Sequence, residues 1–92
     1  MNAKIESQII EYSKKIIEEY KNKLKKNICI EIPTISRYLK NGKYSSEITM
    51  NVKDDNGIFD VLEFFVYKNN ELLLKSDEYK EYINDFIEGF MK

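Results

Sequence analysis

The sequence predicts an α+β fold: a four-stranded antiparallel meander sheet with N-terminal and C-terminal helices, in the order α-β-β-β-β-α. Three observations predict it. Apolar residues recur at helical spacing at both ends of the chain, alternating or branched apolar runs fill the middle, and turn signals separate those runs at Asn41-Gly42, Asp55-Asn56-Gly57 and Lys68-Asn69-Asn70.

The first helix is read from Ala3 to Lys26. Ile5, Ile9, Tyr12, Ile16, Tyr20 and Leu24 recur every three or four residues, and Ile10 and Ile17 broaden the stripe. Asn2 can cap the start, Glu6 and Glu11 lie early, and Lys21, Lys23, Lys25 and Lys26 crowd the end, which complements the helix dipole. Ile28, Ile30 and Ile32 then alternate with Cys29 and Glu31 as a strand, in which Pro33 suits an edge or a bulge because it has no N–H to give. Residues 35–40 continue the extended chain, and Asn41-Gly42 turns it into a second strand from about Lys43 to Lys53.

The stretch from Ile48 to Tyr67 is the most informative of the chain. Asp55-Asn56-Gly57 fits a three-residue hairpin connection in which Gly57 adopts the left-handed conformation. Ile48 then faces Phe64, Met50 faces Leu62 and Val52 faces Asp60, so the even-numbered positions form the core face. On the odd-numbered face the first of these strands is polar, with Ser45, Glu47, Thr49, Asn51 and Lys53. The second shows Phe59, Val61, Phe65 and Tyr67 around Glu63. One strand is therefore apolar on both sides. Glu71 to Lys75, with Leu72, Leu73 and Leu74, makes a short fourth strand. Ser76 opens the last helix with Asp77 and Glu78 in its first turn, and Tyr79, Tyr82, Ile83, Phe86, Ile87 and Phe90 share its apolar face as far as about Met91, with Gly89 weakening the final turn.

The 92 residues read as one domain over 1–92, long enough to bury about 60–65% of the unfolded surface in one core without metal or disulfide. The single cysteine, Cys29, cannot form an internal bridge and reads as a buried structural thiol between two isoleucines. Without a signal peptide or a membrane-spanning run, the chain reads as cytoplasmic, and its wealth of Lys, Ile, Asn and Glu is what AT-rich bacterial or phage codons supply. There is no histidine, which removes the usual general base at neutral pH and the commonest zinc ligand. No glycine-rich phosphate loop or activated nucleophile takes its place. The expectation is a non-enzymatic chain with no catalytic residue, cofactor or metal.

Three groups of residues remain as candidates for function. Arg37, Tyr38, Lys40, Lys43 and Tyr44 interleave cations with rings around a turn, as a single-stranded nucleic-acid or phosphate site does. Asp54, Asn56, Gly57, Asp60 and Glu63 have the offsets of part of a calcium-binding EF-hand loop. The position that should supply the first ligand is Val52, however, and the flanks read as strands. Phe59, Val61, Glu63, Phe65 and Tyr67 form the third group, a partner-binding row if both helices cover the other face.

Charge adds one more clue: residues 1–46 carry ten Lys and Arg against five Asp and Glu, and residues 47–92 carry five against eleven, so the halves are near +5 and −6. The leading expectation is a protein-interaction module, a small inhibitor or accessory protein acting by surface occlusion. Immunity proteins and phage anti-defence proteins share its size and composition, without a shared motif. A symmetric homodimer pairing the apolar rows is the simplest closure. The alternatives are nucleic-acid binding through Arg37 to Tyr44 and a small-molecule pocket between helix and sheet lined by tyrosines.

Overall fold

The computed structural model describes residues 4–75 and 77–92. Its elements are α1 (Lys4–Tyr20), a 3-10 turn (Lys21–Lys23), β1 (Cys29–Ile30), β2 (Thr34–Lys40), β3 (Lys43–Asp54), β4 (Gly57–Lys68), β5 (Glu71–Leu72) and α2 (Glu78–Glu88). β1 and β2 pair with the same side of β3, at Lys53 and Val52 and along residues 43–49, so they are two pieces of one strand. The break falls at Pro33, and the Glu31 N–H still donates to the Asn51 carbonyl at 2.9 Å, keeping both pieces on one ladder. The expected meander is present with its first strand interrupted.

Both helices lie on the even-numbered face. Ile48, Met50 and Val52 of β3 are fully buried in one core with Ile9 and Ile16 of α1 and Ile83 and Ile87 of α2. The helices run side by side in the same direction: Tyr12 meets Tyr79 edge-on at 5.9 Å and donates to Asn84 Oδ1 at 2.8 Å, and further along Leu24 bridges Met91.

Both helices are shorter than their periodicity predicts. α1 stops at Tyr20 because the chain beyond it finds other partners. Leu24 turns extended and buried, the Lys25 N–H donates to the Phe90 carbonyl at 2.8 Å, and the Lys92 N–H donates to the Lys23 carbonyl at 2.9 Å. α2 begins after Asp77, whose left-handed φ of 62° keeps it outside the helix, and Glu78 reaches back to accept the Lys75 N–H at 2.8 Å. The helix closes at Gly89. The caps expected of Asn2 and Ser76 lie outside the described residues.

The β3–β4 register pairs Ile48 with Phe64, Met50 with Leu62 and Val52 with Asp60, as the sequence predicts. The turn differs in detail. Asp54 pairs with Gly57 across Asp55-Asn56, Gly57 has the positive φ expected of it (111°), and the extra residue of β4 is Phe59. A second irregularity inserts Val66 between the pairs Glu47–Phe65 and Ser46–Tyr67. A bulge of this kind turns two consecutive residues to one side of the sheet. Here the pairs are Phe59 with Asp60 and Val66 with Tyr67, and both are turned toward the helices. The fourth strand is only two residues long and pairs with Tyr67 and Lys68 alone, where a run to Lys75 was expected.

The strand order places the basic first half of the chain, with α1, β1 and β2, at one edge and the acidic second half, with β4, β5 and α2, at the other. No described helix is long and apolar enough to cross a membrane.

Candidate partner-binding surface

The face of the sheet away from the helices is open, and its two sides differ. Toward β1–β3 it is polar and satisfied by its own pairs: Lys53 meets Glu31 at 2.9 Å and Asn51 Nδ2 donates to Glu31 Oε1 at 3.4 Å, with Thr49 and Glu47 beyond. The hydrogen bond from Lys53 holds the Glu31 carboxyl below the usual glutamate range and holds the Lys53 ammonium above the usual lysine range. Cys29 lies here too, exposed opposite Lys53, because alternation along β1 turns Ile30 to the core and its neighbour away. The expectation of a buried thiol is corrected.

Toward β4 the open face is apolar, but the row is not the one the alternation predicts. Tyr67 is buried beside Tyr44 at 5.7 Å, on the helix side, because the Val66 bulge reverses the alternation before it. Phe59 is turned by its own bulge to the end of α2, where its ring meets Phe90 edge-on at 5.9 Å, although it stays 49% exposed. What remains on the open face is Val61, Glu63 and Phe65, joined by Ile58, which sequence parity assigns to the core and the register places opposite Lys53. Ile58 is 55% exposed and Val61 37%, while Lys68 Nζ stands 5.1 Å over the Phe65 ring. The apolar surface is thus a stripe along β4 and not a face-wide row.

Beside that stripe, on the helix side, α2 does not close fully onto β4. Leu62, Phe64, Tyr82 and Phe86 line an open cleft of about 560 Å³ whose rim carries Glu63 and Asp85. Leu62 and Phe64, expected in the core, take their predicted register positions but are only partly buried for this reason. Tyr82 donates to Glu78 and meets Phe64 edge-on at 5.6 Å, which fixes one wall. That hydrogen bond, with the one from the Lys75 N–H, lowers the Glu78 carboxyl; the same bond to Glu78 raises the Tyr82 phenol.

The candidate nucleic-acid residues do not converge on one groove. Arg37 and Tyr44 face the helix layer, where the Tyr44 hydroxyl lies 2.9 and 3.1 Å from the two oxygens of Glu6 and Arg37 Nε lies 3.6 Å from the same carboxylate. Tyr38 pairs with Ser45 on the open face, and Lys40 and Lys43 sit opposite each other at the hairpin tip. The lysines that follow α1, from Lys21 to Lys26, lie at the other end of the sheet, beside the C-terminus. Asp54, Asp60 and Glu63 stand on hairpin strands, and the described residues contain no cluster of acidic, histidine or cysteine side chains able to hold a metal.

Glu6 was not singled out by the sequence, yet it is fully buried. Its signal was there. The buried positions of α1 are Glu6, Ile9, Ser13 and Ile16, and on a helical wheel Glu6 and Ser13 fall inside the apolar arc bounded by Tyr12 and Ile10. Ser13 spends its hydroxyl on the Ile9 carbonyl at 2.7 Å, while the buried Ser46 Oγ has no hydrogen-bond partner among the described residues. No family model, curated protein or solved structure matches the chain.

Proposed function

We propose that this chain is a protein-binding module that presents the β4 side of its sheet to a partner and acts by covering part of it. The observation that carries this reading is the exposure of Ile58 and Val61 on the face of one long strand that the helices leave uncovered, with Phe59 half exposed beside them at the strand's helix-side rim. Elsewhere the two charged clusters are paired internally, the Glu6 cluster on the helix side and the Glu31–Lys53 pair on the open face, while the exposed Ile32 and Leu39 stand apart from each other on and beside β2. Nucleic-acid binding has less support, since two of its five residues are engaged by Glu6 and the others are divided between a sheet face and a hairpin tip. A photo-crosslinking residue at position 61, in cells that naturally carry the protein, is expected to give a discrete adduct. The adduct should disappear when Ile58 and Phe65 are both replaced by lysine. Equal crosslinking from position 15, on the exposed side of α1, would overturn the reading; an adduct of twice the chain mass would identify a homodimer.

A further inference from the structure

We infer that the outer edge of β4 takes an extended, basic-apolar peptide segment of the partner as an added strand. This rests on the protein-binding reading above and names the chemistry of the occupant. β3 pairs along the whole of β4 on one side, but on the other side β5 covers only Tyr67 and Lys68, and the Leu73 N–H takes the Val66 carbonyl at 2.9 Å. Among the described residues, Gly57 to Phe65 has no strand on its outer side. Such an edge supplies main-chain hydrogen bonds to an extended peptide, and adjacent pockets select alternate side chains. The cleft under this edge is the pocket: Leu62, Phe64, Tyr82 and Phe86 offer an apolar seat, and Glu63 and Asp85 flank it.

Charge decides what sits there. No lysine or arginine lines the cleft, and α2 adds Glu81 and Glu88 to the same acidic half of the molecule. An apolar side chain entering the seat, with a lysine or arginine next to it on the peptide, satisfies both features. A second copy meeting β4 by two-fold symmetry would instead set Asp60, Glu63 and Asp85 of both chains against each other. The edge also has a guard against indiscriminate pairing, since the Asp60 carboxylate caps the exposed N–H of Val61 at 2.8 Å. A cationic peptide side chain that engages Asp60 frees that N–H for the added strand.

The test uses the whole chain and fluorescent nine-residue peptides alternating valine with lysine, their glutamate counterparts, and a lysine peptide N-methylated at every second residue. Anisotropy is expected to show the lysine peptide binding at least about tenfold more tightly than the glutamate peptide, a difference of about 1.4 kcal/mol. N-methylation on the edge that faces β4 should abolish binding. The double variant Glu63→Lys, Asp85→Lys, at two exposed positions whose folding circular dichroism checks, should reverse the charge preference. Equal binding of both peptides, indifference to N-methylation or an unchanged preference in the double variant would each overturn the inference. So would sedimentation growing with concentration in the absence of peptide, which would make the occupant another copy of the chain. If no peptide binds while crosslinking at position 61 persists, the strand-addition inference falls and the protein-binding reading stands; loss of both removes both.

Discussion

The corner where α1 meets β2 and β3 and the edge where α2 meets β4 are built from similar materials and end in opposite conditions. In the first, a carboxylate is driven fully into the interior and held there by the Tyr44 hydroxyl and the Arg37 guanidinium. In the second, leucine and phenylalanine at in-register core positions stay partly wet because α2 stands off from the strand. A buried charge is tolerated only with such partners, so the first corner is specified by geometry and leaves little for an outside ligand. Apolar surface left in water has the opposite tendency. It is where association releases the most free energy for the least rearrangement.

The largest expected effect lies at the Val66 bulge, which sets the buried Tyr67 apart from the open face. Tyr67→Lys should cost about 3–5 kcal/mol, because it puts an uncompensated charge into a buried site. Phe65→Lys, only two residues away on the open face and partly exposed beneath Lys68, should cost clearly less, about 1 kcal/mol. Urea titrations of the two variants decide it, and equal losses would mean that both side chains share one face. Met50→Ala and Leu62→Ala make the next comparison, since they are cross-strand partners of unequal burial. The first should lose about 2–5 kcal/mol and the second clearly less, measured the same way.

Glu6→Ala should destabilise by about 1.5–3 kcal/mol through the charged hydrogen bond from Tyr44. Arg37→Ala should cost less than that, because the guanidinium is half exposed and 3.6 Å from the carboxylate, and the Tyr44 hydroxyl still hydrogen-bonds Glu6 in its absence. A larger loss from the arginine than from the glutamate in thermal unfolding would reject this account of the corner.

The smallest effect is on pH dependence. Glu31 and Glu78 both have folded-state pKa values below the ordinary glutamate value. Their contribution is therefore present above that value and is lost as pH falls through the folded-state values. Lys53→Met should flatten the acid limb of the stability profile by the Glu31 share only. Because both carboxylates are on the surface, the change should be slight, and an unaltered limb would show that Lys53 does not hold Glu31 in solution.

Much of the fold can be read from the residues themselves. Helical periodicity places both amphipathic helices, Asn-Gly and Asp-Asn-Gly place the hairpin turns, and the alternation of Ile48, Met50 and Val52 against Leu62 and Phe64 establishes the central register, because each signal is local and repeats along the chain. Pro33 breaks the first strand for an equally local reason, the donor it lacks. The candidate surface was legible in part: Val61, Glu63 and Phe65 lie on the open face as their parity predicts. Phe59 and Tyr67 do not, because each follows from a single extra residue in β4, and where a ladder absorbs an insertion depends on the twist of both strands together. The coverage of the two faces, the stand-off of α2 that opens the cleft, and the meeting of Glu6 with Tyr44 and Arg37 across 38 and about 30 positions of chain were likewise set only by packing. Sequence spacing fixes which residues share an element's face; only tertiary packing decides which faces meet and which stay in water.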